Sequence, residues 1–289
     1  MNAETPLSIG RMCALGQVSR AGWYRRCSQD SPADRDVELR SEIQKIALEW
    51  PAYGSRRITA ELKRRGWEMN RKRVQRLMRQ DNLLCLRKRK FVITTDSDHH
   101  LRVYPNLARK MTLTGVDQLW RADITYIRLE AEFVYLAVIL DAFSRRVIGW
   151  ALDRTLEDSL TREALRRALA QRGVTPDLVH HSDRGVQYAS ADYTQMLKDH
   201  HIRISMSRKA NPWDNAACES FMKTLKSEEV HRTEYRDLSD ARARVGQFLE
   251  SVYNRRRLHS ALAYRSPAEF ERSLEQEKKK DAASRQLIA

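Results

Sequence analysis

Three acidic residues of the 289-residue chain stand where a carboxylate needs a reason. Asp123 lies inside Trp120-Arg121-Ala122-Asp123-Ile124-Thr125-Tyr126, which reads as a strand with apolar neighbours. An ionised carboxyl there is costly unless it is paired or bound to metal. Asp183 follows His180-His181-Ser182 at the carboxyl end of another expected strand, and Glu219 falls within the helix expected after Asn211-Pro212. If the two strands are neighbours and the helix packs across them, three carboxylates converge on one cleft, a site for hard divalent cations with oxygen ligands. Phosphodiester cutting and joining needs that arrangement, because two metal ions roughly 3.5–4 Å apart can stabilise the attacking and the leaving oxygen together. Taken singly, each acid also reads as an edge, turn or solvated helix residue, so the weight rests on the joint placement. No Ser-His-Asp or Cys-His arrangement offers a rival route, and the phosphate-cradling G-x-x-x-x-G-K-[ST] loop is absent.

The elements that must position these acids begin near Val116. Gln118 to Ile127, Phe133 to Asp141 and Arg146 to Leu152 are rich in Val, Ile, Tyr, Trp and Leu and predict a three-stranded meander. A helix is expected over Ser159 to Gln171, a strand over Leu178 to His181, a helix over Ala191 to Lys198, a strand over Ile202 to Met206 and a long helix from Trp213 or Asp214. That order predicts an α/β unit, a mixed sheet flanked by helices.

Charge points to the partner. Lys and Arg outnumber Asp and Glu by 53 to 38, and residues 51–110 hold 17 basic against 5 acidic side chains, most of the net +15. A basic segment beside a near-neutral remainder is the footprint of a polyanion-binding module, with nucleic acid as first candidate. Within it, residues 57–65 read as a helix with Ile58 and Leu62 inward, Gly66 stops it, and Asn70 caps a second helix through Arg79. Val74, Leu77 and Met78 face inward there, while Arg71, Lys72, Arg73, Arg76 and Arg79 are offered to DNA, a helix-turn-helix reading whose ordinary alternative is a solvated helix. Ile9, Met12 and Leu15, then Gly16 and Ser19, give a weaker version of the pattern, either a second helix-turn-helix or a plain helical hairpin. SQDSPADRD at 28–36 reads as a linker, Arg87-Lys88-Arg89-Lys90 opens a basic one, and Lys278-Lys279-Lys280 reads as a disordered tail. The four cysteines, Cys13, Cys27, Cys85 and Cys218, form no C-x-x-C pair and read as free thiols, and His99-His100 and His200-His201 lack ligand partners for zinc. With no long apolar run and no apolar signal core, the expected place is the cytoplasm, on the nucleoid.

Three segments carry a resemblance: WRADITYI, HHSDRGVQY and NPWDNAACESFMKTLKSE, with 59 residues between Asp123 and Asp183 and 35 between Asp183 and Glu219. They resemble the acidic triad of DDE transposases and retroviral integrases, and most closely the second-reading-frame (OrfB) product of the insertion-sequence IS-three family. YGSRRITAEL at 53–62 and YNRRRLHSALAYRSPAEF at 253–270 match that family too. The resemblance implies a ribonuclease-H-like integrase core, a mixed five-stranded sheet flanked by helices, over 113–228. A helix-turn-helix region at 1–86 and a basic linker at 87–112 would precede it, and a helical extension at 229–289 would follow. It implies Asp123, Asp183 and Glu219 as catalytic residues and as ligands of Mg²⁺ or Mn²⁺, two ions per site. The implied reaction is hydrolysis at a transposon 3′ end, then attack of the freed 3′-hydroxyl on another phosphodiester. The DNA would be terminal inverted repeats and target, held by a homo-oligomer. Lys223 and Lys226, on the side of Glu219's helix, and Arg184 beside Asp183 are expected near the cut phosphate, with a solvated or sheet-edge role as the alternative. Arg255 and Arg257 form a cationic cluster for phosphate, against the alternative that Tyr253 and Leu262 merely pack on the core, and Trp213 reads as core. Family members more often carry Gly where Ala263 stands. No sustained heptad repeat appears, so the upstream-frame OrfA protein is an expected partner, and a DNA-binding regulator or assembly subunit inactive without it is the alternative function. An RNA-directed nuclease fits less well, for want of an aromatic RNA-binding sheet motif.

Overall fold

The computed structural model describes residues 8–27, 32–83, 101–208 and 212–286. The chain divides into two compact units, residues 1–85 and 86–289.

In the first unit α1 (Ile9–Leu15) and α2 (Arg20–Cys27) form a short helical pair. Gly16 follows α1, and the Ser19 hydroxyl accepts the Gly22 N–H at 3.0 Å. Next come α3 (Pro32–Glu49), α4 (Ser55–Arg64) and α5 (Arg71–Gln80). The helix-turn-helix appears as expected. Gly66 adopts φ +87°, so the chain can turn after α4 with the Trp67 N–H returning to the Leu62 carbonyl at 2.9 Å. Asn70 caps α5 by accepting the Lys72 N–H at 2.9 Å. Ile58, Leu62, Val74, Leu77 and Met78 are buried against Leu39, Ile43 and Ile46 of α3. Here one expectation fails. Residues 32–36 are the first turn of α3 and not linker, because Pro32 supplies a preset φ at a position where its missing N–H costs nothing. Residues 28–31 of that stretch lie outside the described residues, as do Arg87-Lys88-Arg89-Lys90 and His99-His100.

The second unit is built on five strands, β1 (Leu119–Arg128), β2 (Phe133–Asp141), β3 (Val147–Asp153), β4 (Val179–Ser182) and β5 (Arg203–Met206). Their order in the sheet is β3-β2-β1-β4-β5; β1–β2 and β2–β3 pair antiparallel, β1–β4 and β4–β5 parallel. β2 is buried on both faces, and its alternation feeds two cores. Val134, Leu136, Val138 and Leu140 face α9 (Ala216–Leu225), α10 (Leu238–Gln247) and the wide helical turn Phe248–Tyr253. Ala137 and Ile139 face α6 (Asp158–Gln171), α7 (Val186–Ala189) and α8 (Ala191–Asp199). Gly149 lets α6 lie on β3, since a Cβ there would sit 2.3 Å from the Ala164 carbonyl oxygen.

The C-terminal extension closes the free edge of β3. The Asn254 carboxamide accepts the Val147 N–H at 2.9 Å and donates to the Val147 carbonyl at 2.9 Å, imitating a neighbouring strand. Beyond it α11 (Pro267–Gln286) is anchored by Glu271, 6% exposed, which pairs with Arg146 at 2.5 Å and with Arg172. Lys278, Lys279 and Lys280 continue this helix, so the disordered tail is not found; exposed Lys is a good helix former. Residues 101–112, expected as linker, lie on the sheet unit, with Ala108 packed beside Leu119, Ala142 and Val179.

Ala263 adopts the left-handed region, φ 51° and ψ 41°, at the end of the turn after His259. A side chain costs about 1–2 kcal/mol there, and the extra freedom glycine gives the unfolded chain offsets about half of that. Ala263→Gly is therefore expected to raise Tm by about 2 °C in thermal unfolding. A fall in Tm would remove the strain argument.

Candidate active site

Each acid is set by an ordinary local cause. Asp123 stands mid-way along β1, opposite Val138, with its Oδ1 accepting the N–H of Ile124 at 2.9 Å. β4 runs parallel to β1 and stops at Ser182, which leaves Asp183 on the loop at its carboxyl end, where Oδ1 accepts the Gly185 N–H at 2.9 Å. Glu219 lies in the first turn of α9, which packs against β1. All three side chains are half-buried.

Asp123 feels both of the other acids. Burial and then the nearby Asp183 push Asp123 up to about 8; the Ile124 N–H opposes this, Glu219 adds to it, and Lys226 works against it. The donor set is therefore hard, anionic and mutually repelling, which suits a divalent cation. The carboxylates are not gathered into one ligand shell: among the described residues no group of three or more His, Cys, Asp and Glu is close enough to hold a metal ion.

The surroundings sort the expected DNA contacts. Lys226 is half-buried, 4.6 Å from the centroid of the Tyr126 ring, with burial lowering its pKa and Asp123 raising it. It also lines a groove of about 980 Å³ with Tyr126, Arg128 and Phe133. Lys223 is exposed and pairs with Glu219 at 3.6 Å. The Arg184 Nε donates to the Ser207 carbonyl at 2.8 Å, tying the Asp183 loop to the end of β5. Arg255 is exposed. Arg257 is not available for phosphate: it is 4% exposed and forks onto Glu228 at 2.8 and 2.7 Å. Its neighbours Tyr253 and Leu262 are core residues, as the alternative reading had it. The side chain of Trp213 lies outside the described residues, as do those of Cys27 and Cys85, while Cys13 and Cys218 are free and buried.

Several residues of this neighbourhood escaped the reading of the sequence. His180 and His181 are buried neutral, pushed down to about 3 and about 4, chiefly by burial. His181 meets Ser205 at 2.8 Å and Ser207 at 3.0 Å, and His180 meets the Tyr193 hydroxyl at 2.9 Å, so both are pinned in the structure beneath Asp183. Tyr188 is buried, yet its hydroxyl has no partner among the described residues; Asp183 and Asp123 both press on it electrostatically. Arg121, two residues before Asp123, donates to the Asp214 carbonyl and to Asn215. Apart from their nearness in sequence to the acids, these residues had no signal, because each role depends on a partner far along the chain.

On the first unit α5 carries Arg71, Lys72, Arg73, Arg76 and Arg79, all but Arg73 exposed. Buried Asp36 takes both the Nε and an Nη of Arg73, at 3.1 and 2.5 Å, and lies 3.6 Å from Arg76.

Comparison with known proteins now bears on these features. An integrase core domain family matches residues 114–212, a second integrase core domain family matches 200–267, and an HTH-like domain family matches 34–91. The transposase InsF of insertion sequence IS3A from Escherichia coli K12 is 36% identical over 274 residues, 93% of this chain and 95% of that one. This chain is a member of the IS3 transposase family. A 31 kDa protein of insertion element IS600 from Shigella sonnei is 38% identical over 264 residues, 90% of this chain and 97% of that one. Among solved structures, a simian T-cell lymphotropic virus intasome aligns with TM-score 0.46 at 15% identity, over 79% of this chain and 74% of that one. For the IS3 family member, the integrase core and the helix-turn-helix fall where the sheet unit and α4–α5 lie. No described helix is long and apolar enough to cross a membrane.

Proposed function

We propose that the chain is a DDE-type polynucleotidyl transferase that cleaves the 3′ ends of an insertion sequence and joins them to another DNA strand. The observation that carries this reading is the placement of Asp123 on β1, beside the parallel strand β4 whose carboxyl end bears Asp183, and under α9, whose first turn bears Glu219. Asp123, Asp183 and Glu219 would hold Mg²⁺ or Mn²⁺, two ions per site. When bound, such ions activate the attacking oxygen and stabilise the leaving one. The protein's own part is to place the scissile phosphate: Lys223 approaches it from α9 and Lys226 from the turn that follows, and Arg184 stiffens the loop that carries Asp183. Neutral His180 and His181 take no part as bases, since both rings are already engaged.

Residues 113–228 are the catalytic part in this reading, 229–289 brace it, and 1–86 read the DNA. The duplex is that of the terminal inverted repeats and the target, and a homo-oligomer with the upstream-frame OrfA protein is the working assembly. Arg71, Lys72, Arg76 and Arg79 face the DNA from α5, Arg73 being shared with Asp36, and Arg255 adds a contact from the extension. The test is a full-chain assay on duplex oligonucleotides carrying the element's end. Mg²⁺-dependent 3′-end cleavage and joined products are expected, either alone or once OrfA is added; absence of both, with DNA bound, would refute the enzymatic reading.

Asp36→Asn frees Arg73 and Arg76 for phosphate, so binding at low salt is expected to tighten and the slope of log K against log salt to steepen by about 0.9 for each of the two that newly meets a phosphate. An unchanged slope in fluorescence anisotropy would mean that neither arginine meets the backbone.

A further inference from the structure

We propose that Arg121 and Asn215 form a latch that sets the spacing of Asp123 and Glu219, and that Arg121 is a positioning residue for strand transfer; the inference rests on the triad reading above.

The latch joins the two elements that carry those acids. Arg121 precedes Asp123 by two positions, so both side chains leave β1 on the same face. β1 and β4 stop pairing at Arg121↔His181, and one residue later the Ala122 carbonyl is taken by the Asn215 side-chain N–H at 3.2 Å. In return Arg121 donates to the backbone carbonyl of Asp214 and lies 3.5 Å from the Asn215 Oδ1. Asn215, 8% exposed, is the residue from which α9 starts, and Glu219 follows one helical turn later. Asp214 is itself held by the Arg208 side chain at 3.0 and 3.1 Å, so the start of α9 is pinned from two directions. Two reciprocal hydrogen-bonded contacts thus fix where α9 begins relative to the residues flanking Asp123.

Stability alone would not place an arginine here. Partly burying a guanidinium takes a charge out of water, and a cation at the first turn of a helix has the wrong sign for the helix dipole. An uncharged side chain would be cheaper, whereas a guanidinium reaches a carbonyl and a carboxamide at once from a fixed planar fork. Alignment is what such a fork supplies, and a displacement of about 1 Å at a reacting centre can cost about 100-fold in rate.

The experiment measures strand-transfer rate at saturating DNA, DNA affinity and Tm for the full chain carrying Arg121→Met, Arg121→Gln or Asn215→Ala, with Asp123→Asn as reference. Arg121→Met and Asn215→Ala are expected to lower the rate about 10- to 100-fold, with DNA affinity within twofold of wild type. Arg121→Gln, which keeps N–H donors without the charge, is expected to recover most of the rate. Combining Arg121→Met with Asn215→Ala should cost no more than the worse single change. If Gln is as poor as Met and affinity falls with it, Arg121 acts on DNA by its charge and the latch is wrong. If Asn215→Ala transfers at the wild-type rate, the latch is wrong whether or not Arg121→Met folds. Activity persisting in Asp123→Asn would instead defeat the triad reading itself.

Discussion

Asp123→Asn is expected to abolish cleavage and joining while making the protein harder to unfold at neutral pH. The rate should fall by about 1,000-fold or more, because the ligand set loses an anionic donor and metal stabilisation of the transition state is worth several kcal/mol. DNA affinity should stay close to wild type, since the cationic surfaces are untouched. The stability gain follows from the same geometry. In the unfolded chain Asp123 gives up its proton near 3.8, in the folded protein near 8, where burial and then Asp183 oppose its charge. Folding therefore takes up a proton between those values, and stability present below pH 3.8 is lost progressively as pH rises toward 8. Asn has no such proton and keeps the acceptor that Ile124 uses. The difference in stability between variant and wild type should grow from near zero at pH 4 to on the order of a few kcal/mol at pH 8. Mg²⁺ should raise the Tm of wild type and not of the variant. Asp183→Asn and Glu219→Gln should lose activity equally with smaller gains, because burial outweighs either neighbour in opposing the Asp123 charge, and the gain should be larger for Asp183→Asn than for Glu219→Gln. A variant that is less stable at every pH and still active would sink both the electrostatic account and the triad.

What could be read in advance divides along a physical line. An acid inside an apolar strand is conspicuous because its cost is local, so Asp123 stood out, and the period-2 runs and Gly/Asn punctuation placed β1 to β5, α4 and α5 within a residue or two. That β1 and β4 are neighbours was a condition in the sequence, and their parallel pairing, which brings Asp183 beside Asp123, is supplied by the sheet itself. Roles that depend on a distant partner were not visible. Arg121 needs Asp214 and Asn215, 93 and 94 residues away, and Arg73 needs Asp36, 37 residues away. The linker reading failed over residues 32–36 because Ser, Pro and Asp signal both a loop and the start of a helix, and only the burial of Leu39, Ile43 and Ile46 separates the two. Lys278 to Lys280 looked unstructured by charge alone, whereas α11 is secured upstream by Glu271.

Arg255 and Arg257 show the same limit most sharply, and their variants should behave in opposite ways. In the sequence they are two members of one Arg-Arg-Arg run. In the structure Arg255 is exposed, and Arg257 forks onto Glu228, whose side chain is only 10% exposed, while also meeting Thr224 at 3.4 Å. Arg257→Ala leaves the Glu228 carboxylate buried without its cation, a change that typically costs about 3–5 kcal/mol. Tm should fall by on the order of 10 °C in a chain of this size, since each kcal/mol moves it by about 2–4 °C. Arg255→Ala should leave Tm within about 1 °C and weaken DNA binding slightly. Glu228 sits in the turn directly after α9, which also holds Lys226, so loosening the pair frees that turn and the end of the helix that carries Glu219. The companion change Arg257→Met with Glu228→Leu should recover much of the lost stability, because two apolar side chains remove both buried charges together. Arg257→Ala with an unchanged Tm and a large loss of DNA affinity would overturn the assignment and return this arginine to the phosphate backbone.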